Sequence, residues 1–187
     1  MLNVSEELKA LLVTPPKAIT ADELSAFMHK YDEEAIGTMS AFYDPKNFTF
    51  PAGAYVCEVE IDPDTGVVEI ASFHASDDFG RIINPMLVDE QMRGAIVQGI
   101  GGALFEECLY DSDGTLRNGN MADYLVPMAG EMPDIVVAHV QTPTASSKLG
   151  AKGAGEAGTV GAMPVVMNAI MDALAPLGVK DVLMPAT

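Results

Sequence analysis

Tryptophan is absent from this 187-residue chain, and cysteine, histidine and basic side chains are scarce: two, three and ten respectively. Two thiols, Cys57 and Cys108, cannot build a disulfide scaffold or a four-thiolate metal or iron–sulfur site. Both are expected as buried thiols rather than nucleophiles, in a reducing, cytoplasmic setting. His29, His74 and His139 fall in unrelated segments without ligand spacing, so no histidine metal centre is expected. The few Lys and Arg face 27 Asp and Glu, for a net charge of −17. Residues 51–115 hold thirteen acids against Arg81 and Arg93 alone. Phosphates demand cationic partners, so nucleic acid is excluded as a ligand. The acidic stretch reads as a solvated face, with docking to a basic partner as the sharper alternative. No apolar run approaches eighteen residues, so no membrane span is expected. A basic segment followed by an apolar one is missing from the N-terminus, so no secretory leader is expected.

A core, by contrast, is well supplied, with 49% hydrophobic residues. The length suits one domain or a piece of a larger one. Residues 1–47 read as a lead-in. Pro15-Pro16 breaks any helix, and Thr20-x-x-Glu23 predicts a short helix over about 21–30. Asp44-Pro45 to Pro51 reads as a loop. Ala54–Ile61 alternates apolar and polar residues, Asp62-Pro-Asp-Thr-Gly66 is a turn, and Val67–His74 returns, which together predict a hairpin. Asp77–Pro85 reads as a loop into a helix from about Leu87 to Leu109, interrupted by Gly99, Gly101 and Gly102. Glycine inside a helix costs up to ~1 kcal/mol relative to alanine, so close approach of another backbone or a ligand is expected there. Asp111–Gly114 is a turn, Ile135–Val140 a strand, 159–175 a helix, and Val179–Met184 a last strand.

Chemistry concentrates in Lys148-Leu-Gly150-Ala-Lys152-Gly153-Ala-Gly155-Glu156-Ala-Gly158-Thr-Val-Gly161. Glycines let a backbone approach a bulky ligand closely, and Glu156 sits where the following helix begins. A helix-terminal acid favoured by the macrodipole is the bland reading, but a cap does not need so many glycines. Lys152 could pair with Glu156 or reach an anionic ligand. Gly153-x-Gly155-x-x-Gly158 matches a dinucleotide fingerprint only in letters, because the preceding strand ends near Val140 rather than at the loop. Gln91 and Gln98 share one helix face, and their amides suit a ring with mixed polar edges.

Gly80-Arg-Ile-Ile-Asn-Pro85, Gln91-Met-Arg-Gly-Ala-Ile-Val-Gln98-Gly99-Ile-Gly-Gly-Ala-Leu-Phe-Glu-Glu107 and Gly150-Ala-Lys-Gly-Ala-Gly-Glu-Ala-Gly158 occur in this order. In combination they resemble the C-terminal part of the molybdopterin-binding subunit of molybdenum hydroxylases, the group of xanthine dehydrogenase, aldehyde oxidoreductase and aerobic carbon monoxide dehydrogenase. The resemblance covers about 48–187, the molybdenum-cofactor-binding domain. It implies an α+β fold, an antiparallel or mixed sheet with two long helices. It implies a molybdenum–molybdopterin cofactor, in cytosine dinucleotide form, with [2Fe–2S] and FAD on partner subunits. Glu156 would be the base acting on a molybdenum-bound hydroxyl, made more basic in a dry pocket. Ala151, Lys152, Gly153, Ala154 and Gly155 would lie against the cofactor, Gln91 would hydrogen-bond it, and Gln98-Gly99 would let their helix pack close to it. The substrate would be an aldehyde, an N-heterocycle or carbon monoxide. The family has Gly-Gln where this chain has Glu90-Gln91, and its subunits are several times longer. The chain therefore reads as a split or excised segment, inactive without the remainder of the subunit, and the alternative is a non-catalytic binding or assembly module.

Overall fold

The computed structural model describes residues 47–186 of a chain that divides into units 1–45 and 46–187. The helix expected over 21–30 lies outside the described residues. Period-two alternation puts Tyr55, Cys57, Val59 and Ile61 on the inward side of strand β1 (Ala52–Ile61). Asp62 then makes the turn: its Oδ1 accepts from the N–H of Asp64 at 2.8 Å and of Thr65 at 2.9 Å. Gly66, at φ 77°, takes the left-handed position that closes it. Strand β2 (Val68–Asp78) pairs antiparallel with β1 from Ile61↔Val68 to Ala52↔Asp78, with a register slip between Glu58 and Val59. The hairpin is as the alternation predicts. The ladder nevertheless runs four residues past His74, and its last two, Asp77 and Asp78, fall in the stretch that reads as loop. Strand β3 (Ile135–Val140) adds parallel to β2, so β2 is the central strand of a mixed sheet.

Two helices cover one face of this sheet. Helix α1 (Pro85–Leu104) starts on Asn84, whose side-chain oxygen accepts from Leu87 N–H at 3.3 Å, with Pro85 at the first helical position. It ends five residues short of the expected Leu109. The N–H groups of Phe105 and Glu106 both turn back to the Gly101 carbonyl at 2.8 Å. A Cβ on Gly101 would lie 2.6 Å from a Glu106 carboxylate oxygen and 3.0 Å from Pro127, so the departing chain folds over the helix end. Helix α2 (Ala157–Leu174) crosses α1 at two interlocked glycines. A Cβ on Gly99 would sit 2.7 Å from that of Ala162, and one on Gly158 would sit 2.8 Å from both the Ala95 Cβ and the Met92 carbonyl. The close approach of two backbones thus explains the helical glycine. Phe73, Met92, Ile96, Ile100, Val166 and Ile170 are fully buried around this crossing, each contributing roughly 1.5–3 kcal/mol of apolar burial.

Three further expectations change. Residues 179–184 form no strand, and Ala186 N–H bonds to the Ala103 carbonyl at the end of α1 at 2.8 Å. Cys108 is exposed, because α1 has already stopped, whereas Cys57 is half-buried in β1 and burial pushes its thiol up to about 11. Ala157–Leu177 is long and apolar enough, at a mean hydropathy of 1.5, to cross a membrane by length and composition alone. Small residues and methionine raise that mean without a block of large aliphatics. Here the helix lays Gly158, Ala162, Val166 and Ile170 into the core and exposes Val160, Pro164, Asn168 and Asp172.

Candidate functional site

Asp78, the last residue of β2, fastens the segment that leads to α2. Its Oδ1 accepts from Thr142 N–H at 2.9 Å and Gly80 N–H at 2.8 Å, and its Oδ2 accepts from Lys152 Nζ at 2.9 Å. These bonds, that from the Thr142 backbone foremost, hold the Asp78 carboxyl well below the usual carboxylate range. Gly150 and Gly80 both adopt positive φ, at 72° and 66°, and a Cβ on Gly80 would lie 2.3 Å from the Gly150 carbonyl. Arg81 N–H bonds that carbonyl at 2.9 Å, and Lys152 N–H bonds the Phe79 carbonyl at 2.8 Å. Ala151 bridges to Gly80. Gly150, Ala151 and Lys152 therefore anchor the loop, and the Lys152 ammonium meets Asp78 rather than Glu156.

Beyond this anchor, Gly153, Ala154, Gly155, Glu156 and Ala157 form one wall of an open cleft of about 440 Å³. Pro51, Ala52, Tyr55 and Asp77 contribute to the opposite side. Glu156 is the residue from which α2 starts, at φ −116° and ψ 5°, yet its side chain makes no capping hydrogen bond. Its carboxylate is exposed at the cleft, so the dryness that a buried base needs is not supplied by the described residues. Gln91 reaches over from α1, and its Nε2 donates to the Gly155 carbonyl at 2.7 Å. Gly153 and Gly155 have no positive φ, and a Cβ on either would meet no atom within 4 Å. Neither backbone twist nor packing among the described residues requires glycine there. Their effect is to leave bare peptide on the cleft wall.

Gln98 and Gly99 stand apart from this wall. Gln98 Oε1 accepts from the Thr159 hydroxyl at 3.3 Å, Thr159 also bonds the Ala95 carbonyl at 2.9 Å, and Gly99 is buried in the helix crossing. Of the residues singled out from sequence, four line the cleft, Gln91 braces it, Ala151 and Lys152 anchor it, and Gln98 and Gly99 hold α1 to α2.

Sequence reading missed the opposite wall. Asp77 is only 2% exposed, in line with Phe73 and Ala75 on the helix-facing side of β2. Tyr55 Oη lies 2.9 and 2.8 Å from the two Asp77 carboxyl oxygens and 3.0 Å from the Ala157 carbonyl. Burial raises the Asp77 carboxyl above its ordinary range, against the opposing pull of the Tyr55 hydrogen bond and of His139. Burial and the neighbouring Asp77 raise the Tyr55 phenol as well. A Cβ on Gly53 would come within 2.1 Å of an Asp77 oxygen, so glycine on β1 makes room for the acid. Continuing the period-two reading of Phe73 and Ala75 by one step would have found Asp77.

With this geometry in hand, three comparisons converge. The family of molybdopterin cofactor-binding domains matches residues 2–133. The carbon monoxide dehydrogenase large chain of Hydrogenophaga pseudoflava is 39% identical over 146 residues, 78% of this chain and 18% of that relative. The nicotine 6-hydroxylase large subunit of Paenarthrobacter nicotinovorans is 39% identical over 145 residues, with the same two coverages of 78% and 18%. Quinoline 2-oxidoreductase from Pseudomonas putida 86 superposes with a TM-score of 0.75 at 40% identity, over 78% of this chain and 18% of that one. This chain thus spans under a fifth of the length of each of these three proteins, and its mixed sheet with two helices matches the α+β fold of the carbon monoxide dehydrogenase large-subunit domain. Taken together, the match across more than half the chain and the identity to these subunits show that it belongs to the molybdopterin cofactor-binding domain family of molybdenum hydroxylase large subunits.

Proposed function

We propose that the cleft is one wall of the molybdenum–pterin site of an oxidoreductase, and that Glu156 is its base. The single observation that carries this is the pair Gly153 and Gly155. They are glycines that packing among the described residues does not need, placed beside an uncapped carboxylate in a cleft. A ligand that must approach peptide planes closely explains them, and the residues present fit a flat, polar-edged pterin with its metal. Gly153, Ala154 and Gly155 would hold it through their backbone, and Gln91 would fix the Gly155 peptide while keeping its own side-chain oxygen as an acceptor. When bound, the molybdenum centre supplies the two-electron oxidation. Glu156 accepts the proton released by the attacking nucleophile, a role that needs reach and a free carboxylate, both of which an uncapped, cleft-lining position supports.

The remainder of a large subunit would close and dry the cleft. On this reading the chain alone does not turn over. The cytosine dinucleotide form of the cofactor, and [2Fe–2S] and FAD carriers on partner subunits, belong to the same proposal. The substrate class is an aldehyde, an N-heterocycle or carbon monoxide. The test is Glu156→Gln in the complex reconstituted with the remainder of the subunit. Turnover is expected to fall by about 10²–10⁴, the usual worth of general base catalysis, with molybdenum content retained. An unchanged rate would refute the base and favour a non-catalytic binding module.

A further inference from the structure

The second wall of the cleft contains a proton that can be counted. Tyr55 has one hydroxyl hydrogen but three acceptors within 3.0 Å: both Asp77 oxygens and the Ala157 carbonyl. If Asp77 is ionised, the hydrogen points to the carboxylate. Tyr55 Oη and the Ala157 oxygen then face each other at 3.0 Å with nothing between them. If Asp77 is protonated, it donates to Tyr55 Oη, and Tyr55 donates onward to Ala157. Only the second arrangement places a hydrogen between Tyr55 and Ala157, and it does so by giving up one of the two Asp77–Tyr55 contacts. The surroundings favour it, because burying a carboxylate with Tyr55 as its one side-chain hydrogen-bond donor among the described residues is costly, and burial outweighs the opposing pull of His139. From β1 the facing group is Tyr55 itself. From β3 it is His139, the cross-strand partner of Asp77, whose Nε2 is engaged by Asp89 of α1. From the start of α2 it is Glu156, another acid. The Lys152 ammonium is held by Asp78. No cation hydrogen-bonds Asp77 among the described residues.

We infer that Asp77 is a neutral acid which, through the Tyr55 hydroxyl, holds the Ala157 carbonyl and so positions the Glu156 turn. Asp77 is a positioning residue, not a base. Its proton decides which way the Tyr55 hydroxyl points. Loss of that proton turns the hydroxyl to the carboxylate and releases the first peptide of α2, one residue after Glu156. The cleft wall therefore loosens as pH rises through the Asp77 titration. The importance of this for catalysis rests on Glu156 being the base, but the proton and the loosening are read without turnover, so the two ideas fail separately.

The experiment uses the full chain with ¹³C-labelled aspartate. The Asp77 carboxyl resonance, assigned through bonds and checked by its disappearance in Asp77→Asn, is followed against pH. It is expected to stay in its protonated position at pH 6, where surface aspartates, with ordinary values of about 3.9, have already ionised. Titration together with the surface aspartates would overturn the inference, and this result needs no variant to fold. The second readout is hydrogen exchange at Val160 and Gly161, corrected for intrinsic pH dependence. Protection in the wild type is expected to fall about three- to tenfold as Asp77 ionises, the worth of one net hydrogen bond. In Asp77→Asn, whose amide donates at every pH, it is expected to stay level. The same pH trend in both proteins would sink the positioning role.

Discussion

Replacing either of two glycines on helix α1 by alanine should shift stability in opposite directions. Gly94 faces away from the core, and a methyl group there meets no neighbour among the described residues. It brings only the helix-propensity gain of up to about 1 kcal/mol. Gly99 gains the same amount from propensity, but its Cβ would lie 2.7 Å from the Ala162 Cβ, 2.9 Å from the Thr159 carbonyl and 3.2 Å from the Met163 nitrogen. Carbon atoms settle at about 3.5–4.0 Å, so the helices must separate by most of an ångström. Two of those three neighbours are backbone and cannot rotate away. Overpacking of this kind costs about 1–3 kcal/mol, and the upper end applies where backbone blocks relaxation. The net for Gly99→Ala is therefore a loss of about 2 kcal/mol. For a chain of this size each kcal/mol moves Tm by about 2–4 °C. Gly94→Ala should rise by about 2–4 °C and Gly99→Ala should fall by about 4–8 °C, by thermal or urea denaturation of the full chain. Movement of both midpoints in the same direction would refute the interlocked crossing.

Two other outcomes follow from the cleft and its anchor. Gly155→Ala should leave Tm unchanged or slightly higher, since the added methyl group meets nothing among the described residues and restricts the unfolded chain. The reconstituted complex should nevertheless retain less molybdenum, measured by metal analysis; full retention would remove the close-approach argument. Asp78→Asn should lower stability at neutral pH. The Asp78 carboxyl is depressed in the folded chain, so its contribution is present above the ordinary carboxylate value of about 3.9 and disappears as pH falls through the folded value. The gap between wild type and variant in urea midpoint should therefore close on acidification, and a gap independent of pH would contradict the ion pair.

Local signals were legible and long-range pairings were not. The hairpin could be read because alternation and Asp62-Pro-Asp-Thr-Gly66 act within a few residues. Asn84-Pro85 marks a helix start for the same reason, although the sequence reading placed that start two residues late. The end of α1 depends on Glu106 and Pro127 folding back over Gly101, which no helical periodicity encodes. Val179–Met184 has strand composition, yet the chain there is tied to the end of α1 through Ala186 rather than to the sheet. In the site, the glycine-rich wall was visible because its composition is unusual. Asp77 was hidden because two consecutive acids followed by Phe-Gly look like turn chemistry. Its contact with Tyr55, 22 residues away, exists only once the hairpin register is set. Gln98 and Gly99 were open to two readings for a related reason: close packing to a ligand and close packing to a second helix leave the same glycine signature.

The carboxylate of Asp78 grips both Thr142 and Lys152, ten positions apart, and so closes the intervening stretch into a ring knotted at a single residue. What enters and leaves the knot is fixed by Asp78 and by the bonds of Gly150 and Ala151 to Gly80 and Arg81. Residues 145–149 can thus lengthen, shorten or change chemistry while the exit direction toward Gly153 is preserved. A chain built this way can edit one bight without retuning the segment that presents Glu156 to the cleft.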